Sequence, residues 1–572
     1  MTAKTVAHVV VDELTAAGTD IAFGIPGGVI SPVFDALLDR PGVRLIVARH
    51  ETSAVFMAMG YCYATGNPGL VLTTAGPGFS NGLTGLAAAA AESLPIILVS
   101  GEVPKSAFGR GALQEGTAYF GSAVALARHL CKFAAQIGLV STAPSIARKA
   151  LATALSGRRG PVCLTLPLDI GRSEASGSEV RGRVSSRFEV DEDACRAAVA
   201  ALERAKRPVM LLGNGARGVY ARRVARNLAE RLMIPVMVTT KGKGVFPEDH
   251  ALYLGVFGLG GHENAIAHLR AEQPDVVLVC GSALNDLTTN AWSPLLQATT
   301  TQIQIDIDAA QIGRNYRTDL AILGPVDLAL SRMLEYAHQT DRAGELVALR
   351  DAPESQLQLP VQEQASPPGQ APAPQPTASA PMSMQQVLTV LAAELPPDTV
   401  FVCDIGEFLT VAVNALRVRE GGDFIVCLGL GSMGSGIGAA IGYQLAAPAR
   451  RVVCVAGDGG MLMYGNELAS AVKYHAAVTF CVLNDHRYNM CHHGHLEVYD
   501  RTPDLTCTPV DFAAWSRALG AEGEVVTTRA ELASALQRQL VGPRVLDIRF
   551  DPDIRAGHNQ RNAALRHFIG ES

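Results

Sequence analysis

The stretch Arg451–Asp485, RVVCVAGDGGMLMYGNELASAVKYHAAVTFCVLND, decides the fold. Val452–Ala456 is a short apolar run rich in valine, bounded by Gly457-Asp458-Gly459-Gly460, as a strand buried on both faces would be. The glycines predict a turn there. From Asn466 to Tyr474 the residues Leu468, Ala469 and Val472 recur at helical spacing, and Val478–Leu483 is a second apolar run that ends at Asn484-Asp485. Strand, helix and strand in that order make a βαβ unit.

Asp458 and Asp485, 27 residues apart, then fall at the carboxyl ends of adjacent strands, the edge at which open α/β sheets bind ligands. Mg²⁺ takes one or two carboxylates together with substrate phosphates rather than an all-protein cage, so the pair suits a metal and diphosphate site. The competing reading is two loop aspartates that cap turns.

Upstream, the same alternation repeats. Thr5–Gly18 predicts an amphipathic helix and Ile21–Gly24 a strand that runs into Ile25-Pro26-Gly27-Gly28. Val43–Ala48 predicts a strand, Thr52–Ala64 a helix, and Glu51 lies at the junction between them. Gly69–Thr74 predicts a further strand, closed by Ala75-Gly76-Pro77-Gly78-Phe79-Ser80-Asn81 before a helix of small residues, and Pro95–Gly101 and Gly160–Pro167 predict two more. A second α/β set follows, with strands at 209–212, 236–239, 276–280 and 302–307 and a Gly213-Asn214-Gly215-Ala216-Arg217-Gly218 turn that is a weak dinucleotide signal. Residues 172–187 are polar and predict a linker; residues 356–382, rich in Pro, Gln and Ala, predict another, because such a segment cannot bury enough apolar surface to fold alone. The predicted fold class is α/β, three doubly wound domains with parallel sheets, at 1–172, 190–345 and 383–572.

Composition narrows the function. Among 572 residues the formal net charge is −6, with no long basic run, which leaves nucleic acid and anionic membranes without electrostatic support. The 11 cysteines form no CxxC pair, and several lie in apolar strand patterns, as in a reducing compartment. The first residues, MTAKTVAHVVVDELTAAG, mix charged and apolar positions at helical spacing, so neither a secretion signal nor a membrane span is predicted and the expected location is cytoplasmic.

Gly457-Asp458-Gly459 and, after an interval, Asn484-Asp485 resemble the diphosphate-binding signature of the thiamine diphosphate (ThDP) enzymes, a GDG followed after a fixed interval by an Asn-Asn pair. IPGG, RHE, TAGPGFSNG and GEVPKSAFGRGALQEG, in that order, resemble the pyrimidine-binding domain of acetohydroxyacid synthases. The resemblance covers nearly the whole chain, in the order pyrimidine-binding, central and diphosphate-binding. It implies that ThDP is held by Gly27, Gly28, Glu51, Gly406, Gly431, Met433, Gly457, Asp458, Gly459 and Asp485, with Mg²⁺ on Asp458, Asp485 and the backbone carbonyl of Arg487.

In that reading Glu51 hydrogen-bonds N1′ of the aminopyrimidine, the Gly431 carbonyl accepts from its 4′-amino group, and Met433 props the cofactor in its bent form. Gln114, His492 and His493 fall to the substrate pocket. Asp485 stands where the synthases have a second Asn, Glu407 and Phe408 depart from the Gln or His that relatives place after Gly406, and Gly494 replaces a bulky Trp. The central domain's Ser282–Asn290, SALNDLTTN, lacks the charged pattern of FAD-dependent relatives, so FAD is not expected. The clustered His486, His492, His493 and His495 lack zinc-ligand spacing.

The implied activity is decarboxylation of a 2-oxo acid donor and transfer of the acyl unit to an acceptor carbonyl by a homodimer or homotetramer. A simple decarboxylase or C–C lyase is the alternative, and a non-catalytic paralogue a more distant one. The first domain carries no adjacent His-His pair of the kind usual in simple decarboxylases.

Overall fold

A computed structural model describes residues 4–116, 121–175, 188–271, 273–339, 382–551 and 553. Most of both predicted linkers, 176–187 and 356–381, lies outside the described residues. Each of the three domains is built on a six-stranded sheet in which every neighbouring pair of strands is parallel.

The first sheet comprises β1 (Ile21–Gly24), β2 (Arg44–Val47), β3 (Gly69–Thr73), β4 (Ile96–Glu102), β5 (Phe133–Gln136) and β6 (Val162–Pro167), in the order β2-β1-β3-β4-β6-β5. The second comprises β7 (Pro208–Leu212), β8 (Val236–Thr239), β9 (Tyr253–Phe257), β10 (Val276–Cys280), β11 (Thr301–Asp306) and β12 (Leu320–Leu323), in the order β12-β11-β10-β7-β8-β9. The third comprises β13 (Val400–Cys403), β14 (Asp423–Val426), β15 (Val452–Gly457), β16 (Val478–Asn484), β17 (Glu522–Val526) and β18 (Arg544–Arg549), in the order β14-β13-β15-β16-β18-β17. Counted within its own domain, the third sheet repeats the strand order of the first, whereas the middle one has the order 3-2-1-4-5-6 of a dinucleotide-type sheet.

The strand order has a functional consequence. Where the order reverses, between β1 and β3 and between β13 and β15, the connections leave on opposite faces and open a crevice at the carboxyl edge. β15 and β16 pair as expected, with Gly457 opposite Leu483, which brings Asp458 and Asp485 to that edge. The glycines after β15 do not form the predicted turn: a helix starts at Asp458 and runs to Tyr464, followed by a 3₁₀ turn, Gly465–Glu467, and a second helix, Leu468–Lys473. Burial of Met461 in the core overrides the poor helix propensity of glycine.

Domains one and three meet through topologically equivalent helices, Glu51–Thr65 after β2 and Ser435–Ala446 after β14, both buried for most of their length. Their backbones touch: a Cβ on Gly60 would stand 1.9 Å from the Ala439 carbonyl oxygen, and one on Gly442 1.8 Å from that of Met57. Only glycine permits that approach. The helix Glu51–Thr65 is capped by His50, whose Nδ1 accepts from the Thr52 amide at 3.1 Å, and ends at Gly66 in the left-handed region.

Candidate active site

The carboxyl edge of the third sheet gathers four carboxylates on three adjacent strand ends: Asp404 and Glu407 after β13, Asp458 after β15 and Asp485 after β16. Asp404 is fully buried and accepts from the amides of Gly434 at 2.7 Å and Gly436 at 3.1 Å; burial pushes its carboxyl up to about 6 in spite of those donors. It fixes the turn between Met433 and the helix Ser435–Ala446. Asp458 is 5% exposed. Its Oδ1 accepts from the Gly459 amide at 2.6 Å, while Oδ2 is buried and has no hydrogen-bond partner among the described residues.

Burial raises the Asp458 carboxyl above its ordinary range, with backbone donors at Gly459, His486 and Arg487 working against it. Asp485 is pushed up to about 7, first by burial, then by the charge of Asp458, with Glu407 adding to it. Such crowding of carboxylates is relieved by a cation. The Arg487 amide donates to Asp485 Oδ1 at 3.3 Å, which turns the chain back at the end of β16, and the Arg487 side chain leaves toward Asn489 and Asp553.

Met433 and Tyr488 converge on Gly459: a Cβ there would stand 3.0 Å from the Met433 methyl carbon and 2.7 Å from the Tyr488 ring. Gly431 has φ +69°, and nothing lies within 4 Å of the place its Cβ would take. Gly406 is held close to the Phe408 ring, 2.2 Å from where its Cβ would be. The histidine-rich segment is a helix, Asn489–Tyr499. It ties to the sheet edge through His493, whose Nδ1 lies 2.8 and 3.0 Å from the two Glu407 oxygens, both side chains being buried. His492 stacks edge-on against His493, half-buried.

In the first domain, β1 and β3 end in uncharged turns. Gly27 lies against Thr74 and leaves no room for a Cβ, whereas Gly28 faces open space. Glu51 opens its helix and is buried; Asn81 Nδ2 donates to its Oε2 at 3.0 Å, and its Oε1 lies beside Gly78. Gln114, in a loop at φ +66°, accepts from Thr74 Oγ1 at 3.3 Å, so it comes to the same mouth as Glu51 and Gly27. The junction that carries Glu51 is bound to the third domain: Glu467 Oε1 accepts from the amides of Arg49 at 2.8 Å and His50 at 2.9 Å, and the His50 ring packs edge-on to Tyr464.

Sequence reasoning missed the Glu407–His493 pair and the carboxylates of Asp404 and Glu467. A signal existed for the first: a buried acid in a position where the resemblance calls for a neutral or cationic donor needs a hydrogen-bond partner nearby. Among the described residues no group of three or more His, Cys, Asp or Glu side chains has the disposition of a metal site. No helix of the described residues is long and apolar enough to cross a membrane.

Three family models match in sequence. "Thiamine pyrophosphate enzyme, N-terminal TPP binding domain" matches residues 4–122, the "central domain" of the same enzymes residues 195–333, and the "C-terminal TPP binding domain" residues 404–548. The chain is 33% identical to an acetolactate synthase large subunit of Parasynechococcus marenigrum, over 97% of this chain and 88% of that protein. It is 29% identical to the acetolactate synthase isozyme 1 large subunit of Escherichia coli, over 96% and 94% of the two chains. A probable acetolactate synthase large subunit of Methanocaldococcus jannaschii is 30% identical over 96% and 92%.

Proposed function

The chain belongs to the thiamine pyrophosphate enzymes, similar to the acetolactate synthases, and from that premise we propose that it is a ThDP- and Mg²⁺-dependent carboligase that decarboxylates a pyruvate-like 2-oxo acid and transfers the acyl unit to an acceptor carbonyl. The observation that carries the cofactor assignment is Asp458 Oδ2: a buried carboxylate oxygen without a partner, at the reversal point of a parallel sheet, beside a second carboxylate. An orphaned buried oxygen is costly unless a ligand supplies its partner. The residues fit a metal-bound diphosphate, with Asp458, Asp485 and the Arg487 carbonyl as the metal's ligands and the open spaces at Gly431 and Gly28 as room for the cofactor.

When bound, ThDP supplies the electron sink for decarboxylation and for the carbanion equivalent that follows. The chain's own residues bind and orient. Asn81 fixes Glu51 Oε2 and so presents Oε1, which holds a proton against the pyrimidine N1′. Met433, leaning onto Gly459, and the Gly431 carbonyl, beside open space, are the residues that would hold the aminopyrimidine against the thiazolium. Gln114, His492 and His493 line the space for donor and acceptor, which Gly494 widens.

The exposed Leu430, Leu462 and Met463, each about half accessible, flank the site; apolar side chains in that position support a homo-oligomer in which a second copy covers them. FAD is not needed in this reading, because the GNGARG turn is taken up in packing: Gly213 and Gly215 lie against Gly281, and Arg217 is spent on backbone carbonyls. The purified protein is expected to be colourless.

Incubation of the full chain with ThDP, Mg²⁺ and a panel of 2-oxo acids, each with and without an aldehyde or second 2-oxo acid, tests the assignment. Carbon dioxide together with a ligated hydroxy-ketone product is expected. Carbon dioxide with an aldehyde alone would make it a simple decarboxylase.

A further inference from the structure

The helix Pro77–Glu92 is built of small apolar residues along most of its length and ends in a buried acid, Glu92, whose side chain is wholly inaccessible. A buried carboxylate is retained only where it is paired and hydrogen-bonded. Glu92 has three partners, one from each domain. Its Oε1 accepts from the Gly429 amide of domain three at 2.5 Å. Its Oε2 lies 2.7 Å from Lys241 Nζ of the central domain and accepts from Tyr63 of domain one at 3.1 Å. The contact with Gly429 is close enough that a Cβ there would stand 2.8 Å from Oε1.

Lys241 is itself held. It sits in the 3₁₀ turn Thr240–Gly242 after β8, and Arg217, from the GNGARG turn, donates through Nη2 to the carbonyls of Lys241 at 2.6 Å, Lys243 at 3.3 Å and Phe424 at 3.0 Å. The Arg217 Nη1 pairs with Asp423, which also takes Arg222. The glycine-rich motif that reads as a nucleotide signal in the sequence thus spends its arginine on the lysine's turn and on the edge of the third sheet. Gly429, at the far end of this chain of contacts, begins the loop that carries Gly431 and Met433.

We propose that Glu92 is a positioning residue for the loop 429–434, and that the central domain sets the placement of Gly431 and Met433 through the connected contacts Arg217, Lys241 and Glu92. The inference rests on the reading of that loop as the seat of the aminopyrimidine. It gives the central domain a task that requires no nucleotide. Coupling of this kind needs contiguous, well-packed polar contacts, and each link here is a named hydrogen bond or ion pair. A loop shifted by about an ångström is enough to cost roughly a hundredfold where ring geometry decides the rate.

The test uses the full chain with Lys241→Met, Glu92→Gln, the double variant and Met433→Ala. Three readouts are needed: amide hydrogen exchange of the segment 428–434 in cofactor-free protein, ThDP affinity at saturating Mg²⁺, and the rate of C2 proton exchange in bound ThDP. Lys241→Met is expected to raise amide exchange in this segment alone, to leave ThDP affinity within about threefold, and to slow C2 exchange about tenfold or more. The double variant should be no slower than the slower single one, since both changes cut one connection.

Unaltered amide and C2 exchange in Lys241→Met, or effects of the two single changes that multiply, would overturn the proposal while Met433→Ala still slows C2 exchange. If Met433→Ala also leaves C2 exchange untouched, the loop is not the cofactor's seat and both readings fall. Should either single variant not fold, the double variant decides, compared with Met433→Ala, because it removes the buried charge and its partner together and leaves no unpaired ion at the 2.7 Å contact.

Discussion

The first and third sheets have the same strand order, the same parallel pairing and the same reversal point, yet the strand ends that flank that reversal point are opposite in chemistry. β1 and β3 run out into Ile25-Pro26-Gly27-Gly28 and Thr74-Ala75-Gly76-Pro77-Gly78, turns without a charge; their counterparts β13 and β15 run out into Asp404-Ile405-Gly406-Glu407 and Asp458. In the proposed reading one frame is finished twice, once to receive a flat ring and once to receive a metal and an anion. The first edge offers Glu51 after β2, held by an amide, and the buried Glu102 at the end of β4, raised by burial and by the charge of Glu115, whereas the third gathers four carboxylates on three adjacent strand ends. The frame therefore does not choose the ligand. Three or four residues beyond each strand end do.

The largest effect is expected at the acidic edge. Asp458→Ala removes the orphaned oxygen at the start of the helix Asp458–Tyr464, where the proposal puts metal and diphosphate, and no described neighbour replaces it, so ThDP binding should fall below detection by fluorescence quenching. At the first edge, Glu51→Gln should lower C2 proton exchange by about 10²- to 10⁴-fold, the usual worth of a positioned acid or base, with an unchanged melting temperature because glutamine still accepts from Asn81. Near-normal exchange would remove Glu51 from the site.

His493→Ala tests the pair that the third edge has and the first lacks. It leaves Glu407 buried without its hydrogen-bond partner, a change that typically costs about 1–3 kcal/mol, and should lower the melting temperature, with the double variant Glu407→Leu/His493→Leu recovering part of the loss. Equal melting temperatures for all three proteins would show that the pair carries no stability.

The smallest effect is expected for Asp485→Asn, which should retain activity and bind Mg²⁺ more weakly. Its pH dependence sharpens the comparison. Asp485 in the metal-free protein is raised to about 7, so it carries a proton below that pH and must release it to take the metal. Apparent Mg²⁺ affinity of the unaltered protein should therefore climb with pH, by at most about tenfold per unit, and level off above roughly pH 7, while the Asn variant shows a flatter profile. Parallel profiles would mean that Asp485 is not a ligand.

The sequence made the sheets legible where strands are buried on both faces, since Val452–Ala456, Val276–Cys280 and Gly69–Thr74 are continuous apolar runs with glycine at one end. Edge strands were harder. β12, Leu320–Leu323, is half-exposed and only four residues long, and β5, Phe133–Gln136, carries no punctuation. The helix from Asp458 was hidden because three glycines read as a turn, and only the core around Met461 reveals why they coil.

Of the proposed site, Asp458, Asp485 and Met433 are legible because residues near in sequence announce them. Glu407 and His493 are 86 residues apart, and Glu92 and Gly429 are 337 apart, so no local pattern joins them. Glu92 did leave one mark, a lone acid at the end of GLTGLAAAAAE.

The division of labour between the two edges is tested most directly by titrating ThDP, at saturating Mg²⁺, into cofactor-free Glu51→Gln protein and then measuring C2 proton exchange in the complex. If the third edge holds the metal-bound diphosphate and the first only manages the ring's proton, the variant binds ThDP within about threefold of the unaltered protein while its exchange is slowed at least a hundredfold. Binding lost in step with exchange would contradict that division.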